Sequence, residues 1–449
     1  MKILLVVHDF LPKHLAGAEL YTYYLAKTLQ EQGHDVHIYT REYGYFDQQF
    51  REEDTQYDGL KIKTVYFNTL KKNKFKFLRK FRFKFYLPFL DQQFSESADD
   101  LLRKFHLDFY NSVLENHFDK YIQEIKPDII HIQHLKGLSA SFISIAKKRK
   151  IPTVLTLHDY WFMCNTIQLF TSSGKRCSGP RYGLKCPNCL LPPTMNPVLI
   201  RGLYPFLAIL FVFRTLYLRH LLNKVDLIIS PSNFLRQKFI GHGISERKII
   251  FSDHGMNASL VKTYRRRRNG KLRFSFIGSV MPHKGVHVLI EAFNKLKDKK
   301  VELRVYGEPG YAPSYYERLE QMAANPGIKF MGRFDNNQVY KILAKTDVMI
   351  IPSIWYENSP ITMHEAALAG VPVLASNIGG MAELVERMKN GLLFKVEDTV
   401  DLYEKMRLLI DDPRLRKKLN GKAQQVKTME ENVRELESIY LRLVRNKET

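Results

Sequence analysis

Acidic residues are in short supply: 46 Asp and Glu stand against 69 Lys and Arg, a formal charge of +23 over 449 residues. Such an excess excludes no fold, but it points to an anionic partner: nucleic acid, acidic lipid or a phosphorylated substrate. Cysteine is scarcer still, with four residues, all between 164 and 189. That number and clustering exclude a secreted disulfide scaffold. Nothing at the start reads as a secretion signal. MKILLVV is seven residues before His8-Asp9, too short for a signal core, and fits a first strand. A cytoplasmic protein is the expectation. Long apolar runs are lacking too. The stretch 198–222 has an uncharged run of only twelve residues, Gly202–Phe213, and it contains Pro205. A bilayer span needs about 17 or more. The stretch therefore reads as a helix lying in a membrane interface, with Arg201, Arg214 and Arg219 at its polar edge, or as a buried helix.

What is present is the composition of a globular protein, 45% hydrophobic and 26% charged, at a length for two or three domains. Lys2–Val7 reads as a strand, followed by the loop HDFLPKHLAGAEL, a helix to about Gln32, and a strand at Val36–Tyr39. That order suits a doubly wound parallel sheet. Gly17 either lets the loop backbone approach a ligand or serves a tight turn. Further strands fall at Lys126–Gln133, Ile151–Leu157 and Asp226–Ser230, and Arg265–Gly270 reads as a polar linker. A second strand–helix series begins with LRFSFIGS.

The densest pattern is IIPSIWYENSPITMHEAALAGVPVLASNIGGM, from Ile350 to Met381. It reads as a buried strand over Asp347–Pro352, a loop, a helix with Pro360 in its first turn, and a stop at Gly370 with Pro372 beyond. The free N–H groups of that helix make a seat for phosphate. Glu357 and Glu365, eight positions apart, either face one cleft or are two surface glutamates.

PSIWYENSP, EAALAGVPV and the following Gly-Gly resemble the signature of retaining glycosyltransferases of family four. The resemblance covers most of the chain. It implies an α/β protein of GT-B fold, with two doubly wound parallel-sheet domains facing across a cleft. It implies an enzyme that takes its sugar from a nucleoside diphosphate sugar, with no cofactor or metal needed for catalysis; no D-x-D motif is present. In the family's terms, Glu357 contacts donor-sugar hydroxyls and Glu365 the ribose. The backbone at Ser359, Pro360 and Ile361 flanks the diphosphate, and Lys284 binds it. Ser279 stands where the family has an arginine. His158 lies beside the sugar and acceptor, with His131 and His134 able to line the same cleft. The loop through Phe334 meets the base, and Ala16-Gly17 replaces the family's Gly-Gly. The implied layout is an acceptor-binding domain at 1–256, a nucleotide-sugar-binding domain at 270–428, and a last helix, 429–449, crossing back.

Three insertions fall in the first of these domains: 71–89, 164–189 and 198–222. Lys71–Tyr86 holds eight basic residues, no acids and six aromatics. Anionic lipid suits it better than single-stranded nucleic acid, given the sugar-transfer pattern. Cys186 and Cys189 have C-x2-C spacing. A structural zinc or iron–sulfur site needs Cys164 and Cys177 to fold back onto them; free thiols in a reduced loop are the alternative. The expected acceptor is a lipid-linked or polysaccharide precursor in bacterial cell-surface glycan synthesis, met at the inner face of the membrane. Rival readings are a non-catalytic nucleotide-sugar-binding protein, an epimerase of the same fold, and a nucleic-acid-binding protein.

Overall fold

The computed structural model describes residues 1–44, 50–68, 82–87, 92–97, 108–171, 173–189, 197–263, 270–310, 312–420 and 426–448. The Arg265–Arg268 linker and residues 71–81 of the basic–aromatic segment lie outside them.

Two large sheets carry the chain. The first contains β1 (Lys2–Val6), β2 (Asp35–Gly44), β3 (Arg51–Tyr57), β4 (Leu60–Asn68), β7 (Ile129–Ile132), β8 (Thr153–Thr156), β9 (Leu227–Ser230) and β10 (Ile249–Phe251). Their order is β10-β9-β8-β7-β1-β2-β4-β3, and every pair is parallel except β3 with β4. β5 (Arg82–Leu87) and β6 (Gln92–Ser97) form a separate antiparallel pair. The second sheet contains β11 (Leu272–Ile277), β12 (Val301–Tyr306), β13 (Ile328–Gly332), β14 (Val348–Ile351), β15 (Val373–Ser376) and β16 (Gly391–Phe394), in the order β13-β12-β11-β14-β15-β16, all parallel.

The sequences explain the layers. IIHI, TVLT, LIIS and VMII are buried at every position, as strands covered on both faces must be. β3 is the reverse case. REEDTQY is mostly exposed, and its charges discourage another strand from pairing at that edge.

In each sheet one strand is flanked by two that leave in opposite directions. β1 lies between β2 and β7; β11 lies between β12 and β14. Ligands of open parallel sheets bind at such switch points, outside the strands' carboxyl ends. The two crevices meet. Asn358 Nδ2, after β14, donates to the carbonyl of His158, after β8, at 2.7 Å.

The halves are joined a second time. Met256 N–H donates to Lys427 O at 2.9 Å, and Met429 N–H to Met256 O at 3.0 Å. A Cβ on Gly255 would sit 2.6 Å from Asn432 Cβ, so only glycine fits between the passing segments. The last helix, Met429–Glu448, then lays Val433, Leu436 and Tyr440 into one core with Ile3, Leu5 and Leu25.

The helix Pro197–Lys224 corrects two expectations. It is longer than its uncharged run suggests: Arg201–Lys224, 24 residues, is by length and composition sufficient to cross a membrane. And Arg214 is not at a polar edge. It is buried, donating to Trp161 O at 2.6 Å, with Phe211, Leu218, Leu221 and Leu222 buried on the same helix. The outward stripe is instead Phe206, Ile209, Phe213 and Leu216, 43–68% exposed.

Candidate active site

β14 hands over to the loop Pro352–Pro360, which a glycine turn pins from behind. Gly380 N–H donates to Glu357 O at 2.8 Å, and a Cβ there would lie 1.4 Å from Asn358 O. Held so, Glu357 Oε1 accepts from Lys284 Nζ at 2.6 Å and from Ser353 Oγ and Trp355 Nε1 at 2.9 Å each. Lys284 comes from the turn after β11 and stands 5.4 Å from the Trp355 ring centre. The next residue, Gly285, has φ +69°, and a Cβ on it would meet Pro352 O at 1.9 Å. The glycine is what allows the lysine's turn to lean on the glutamate's loop.

The helix Ile361–Leu368 opens into the same space. Pro360 is its cap residue, with extended ψ, rather than part of its first turn, and no side chain caps it. A helix cannot satisfy its own first N–H groups, so this end can receive an anion. The space where Gly17 would carry a Cβ is 3.3 Å from Ile361 Cδ1; the two halves approach at this point. Ser359 turns its hydroxyl away, 3.2 Å from Asp253 Oδ1 and 2.8 Å from His364 Nε2. Ser279 is exposed in the loop after β11. Phe334 is half-buried, edge-on to Tyr306 at 6.3 Å.

One turn on, Glu365 faces a cleft lined by Leu20, Tyr21, Tyr24, His254, Tyr340 and Ile361. Aromatic rings and aliphatic side chains surround the carboxyl, and burial pushes its pKa up to about 8. A polar ligand group hydrogen-bonded there would favour the ionised form.

The first sheet's crevice is built mostly from histidines. His158 Nε2–H donates to Gln133 Oε1 at 2.9 Å, and its ring stacks on His254 at 5.3 Å, near Tyr21 at 5.4 Å. Burial, then the neighbouring His254, His134 and His131, holds its pKa well below the usual value, so the ring is neutral. His254 is pulled down to about 4 by burial, with Asp253 opposing. His134 lies 4.2 Å from His8, ring centre to ring centre and tilted, and reaches Asp159 Oδ2 at 3.0 Å. His131 does not line the cleft: it is wholly buried, bonded to Thr156 and to Tyr440 of the last helix. Next to His8 lie Asp9 and the buried Glu19, and Arg41 reaches Asp9 at 3.2 Å. His8, Asp9 and Glu19 have ligand atoms within 4.8 Å of one another.

Several of these residues carry no signal in isolation. FSDHGMN reads as a domain end, yet Asp253 is a hub there. It accepts from Arg387 and Ser359 and faces His364. Burial raises its pKa, but His364 and Arg387 outweigh burial and leave it lowered. Its place just past β10, at a parallel strand's carboxyl end, is the clue that was available.

All four cysteines line a second cavity, together with Met163, Leu169 and Phe170. No disulfide joins them. Burial, then the Cys164 and Cys189 thiols, pushes Cys186 up to about 12.

Comparison with known proteins decides the family. The profile of Glycosyltransferase Family 4 matches residues 15–260, and that of Glycosyl transferases group 1 matches residues 262–426. The chain belongs to the group 1 glycosyltransferases. This glycosyltransferase is 25% identical over 410 residues to an uncharacterised 42.6 kDa protein in the cps region of Klebsiella pneumoniae, covering 90% of this chain and 91% of that one. It is 28% identical over 228 residues to a Campylobacter jejuni enzyme, N,N'-diacetylbacillosaminyl-diphospho-undecaprenol alpha-1,3-N-acetylgalactosaminyltransferase. That match covers 50% of this chain and 56% of the enzyme. Among solved structures, Anabaena Alr3699/HepE in complex with UDP and glucose superposes at a TM-score of 0.62 with 16% identity, over 98% of this glycosyltransferase and 99% of that chain. The shared fold is GT-B. The crevices of the two sheets are the two walls of its cleft.

Proposed function

We propose that this glycosyltransferase moves a sugar from a nucleoside diphosphate sugar to a hydroxyl of a lipid-linked or polysaccharide acceptor, with retention at the anomeric carbon. The observation that carries the reading is the Lys284–Glu357 pair, 2.6 Å apart, beside the helix end at Ile361. Lys284 and the helix N–H groups neutralise the diphosphate as it leaves. Glu357, fixed by three donors, orients the donor sugar. Glu365 accepts from the ribose hydroxyls, and the loop through Phe334 meets the base. Neutral His158 faces the sugar and the incoming acceptor, with Gly17 leaving room for the phosphates. Among the described residues no side chain is assigned as a covalent nucleophile; the departing phosphate takes the acceptor proton.

The acceptor's setting is inferred from the other half. Phe206, Ile209, Phe213 and Leu216 form one exposed apolar stripe, with Tyr182 and Leu184 exposed beside the same helix. Exposed apolar surface of that kind suits a bilayer interface, and the +23 charge favours anionic headgroups. The Klebsiella relative lies in a cps region, and the Campylobacter relative acts on a diphospho-undecaprenol substrate. We place the enzyme peripherally on the cytoplasmic face of the membrane, in cell-surface glycan synthesis.

The test is thermal stabilisation by UDP-, GDP-, ADP- and dTDP-sugars, followed by the anomeric configuration of the product. One nucleotide class raises the melting temperature, Lys284→Ala removes the shift, and the product keeps the donor's configuration. An inverted product overturns the retaining mechanism. Sedimentation with anionic vesicles tests the membrane: Phe206→Ser with Phe213→Ser abolishes binding, and unchanged binding overturns this face.

A further inference from the structure

The only four cysteines of the chain meet around one cavity that sugar transfer does not use. Cys164 lies in the turn after β8, Cys177 follows the short Phe170–Arg176 bridge, and Cys186 and Cys189 bound a single helical turn. Leu169 and Phe170 supply an apolar wall to the same cavity. Two of the sulfurs already make polar contacts. Gly179 N–H points at Cys177 Sγ at 3.4 Å, and the Thr166 hydroxyl is 3.2 Å from Cys164 Sγ. Underneath, the buried Arg214 guanidinium interacts with Cys164 and Cys186.

We propose that Cys164, Cys177, Cys186 and Cys189 bind one structural zinc ion. Four thiolates, two of them in C-x2-C spacing, are a closed tetrahedral set for zinc. Zinc with four thiolates carries two net negative charges, and Arg214 with the Gly179 N–H offsets part of them. The four sulfurs are not gathered within 4.8 Å of one another. Zn–S bonds of about 2.3 Å therefore contract this cavity when the metal enters, each thiol giving up its proton to solvent.

The ion holds a loop that bridges the cleft. Gln168 Nε2 is 3.4 Å from His283 Nε2, next to Lys284, and Arg176 pairs with Glu397 at 3.7 Å. Both bridges start from the cysteine-bound segment and end on the second sheet's half. With all four positions taken by thiolate, the zinc has no open site for substrate; it fixes the loop's shape.

The experiment is metal analysis of the full-length protein, purified without chelator from cells supplied with zinc and iron. One zinc per chain is expected, in a colourless protein whose thiols react with a thiol reagent only after a chelator is added. Cys186→Ser with Cys189→Ser is expected to lose the zinc. Should that variant not fold, the wild type is stripped and titrated with Co2+, which gives the strong visible absorption of tetrahedral thiolate coordination. A metal-free protein with four thiols reacting at once, a disulfide, or a coloured iron-containing chain each overturns the proposal.

Discussion

The two walls of the cleft solve opposite electrostatic problems. The second sheet's wall is ionic: Lys284 and Glu357 meet at 2.6 Å beside a helix end. The first sheet's wall is lined by buried rings. His158 and His254 stack, and both have lowered pKa values. On the proposed function, a fixed cation is what a leaving diphosphate needs, while unprotonated His158 and His254 add no positive charge on the acceptor's side. The difference also explains which wall is readable. The ionic wall is held by backbone contacts among Pro352–Pro360, Gly285 and Gly380, so its residues recur as short contiguous strings. The histidine wall gathers single residues from the ends of four strands.

The harshest way to break the comparison is to remove the cation. Lys284→Ala should lower turnover roughly 100- to 1,000-fold, the scale for deleting a donor that stabilises developing negative charge. Steady-state kinetics at saturating donor read it. His158→Ala should leave nucleotide binding intact while slowing transfer. A loss of nucleotide affinity equal to that of Lys284→Ala would mean the walls are not divided as described.

A smaller effect separates the walls by pH. Burial raises Glu365 to about 8 in the folded chain, above its unfolded value near 4.5. The unfolded chain loses that proton first, so stability falls as pH rises from about 4.5 to about 8. Glu365→Gln should therefore raise the melting temperature at pH 8 and above and change it little at pH 4.5. It should also weaken nucleotide binding by roughly tenfold, one charge-assisted hydrogen bond. The histidine wall slopes the other way. His254 is lowered to about 4 from 6.5, so the unfolded chain binds the proton first and stability falls as pH drops through that window. His254→Gln should flatten part of the acid limb of a melting-temperature profile. An unchanged acid limb would show that other buried histidines, such as His131, carry it.

How much was legible follows the same division. Glu357, Lys284 and Ile361 stand in strings whose order is also their spatial order. Pro360 missed its helix by one residue because its φ of −62° suits a cap or a first turn equally, and only ψ, 121° here, distinguishes them. Arg214 misled for a physical reason. A charge inside an apolar run reads as a break or a polar edge, yet here the guanidinium turns inward to Trp161 O and the cysteine cavity. Phe206, Ile209, Phe213 and Leu216 of the same helix form the exposed stripe. Asp253 had no local pattern at all, since Arg387, Ser359 and His364 lie far along the chain.

The mildest prediction sharpens the ionic wall rather than breaking it. Ser279 is exposed at the rim of the loop after β11, where the family carries an arginine. On the proposed function, its absence leaves Lys284 and the helix end to meet the diphosphate. Ser279→Arg should add an exposed ion contact of about 0.5–1 kcal/mol, a gain of a few-fold in nucleotide affinity. Because the contact is exposed, the gain should fade as ionic strength rises. Calorimetric titration with the nucleoside diphosphate at low and high salt measures both. A gain that survives high salt would place the new arginine deeper in the cleft than the loop now puts Ser279. No gain at either salt would mean that Lys284 and the helix end already satisfy the phosphates.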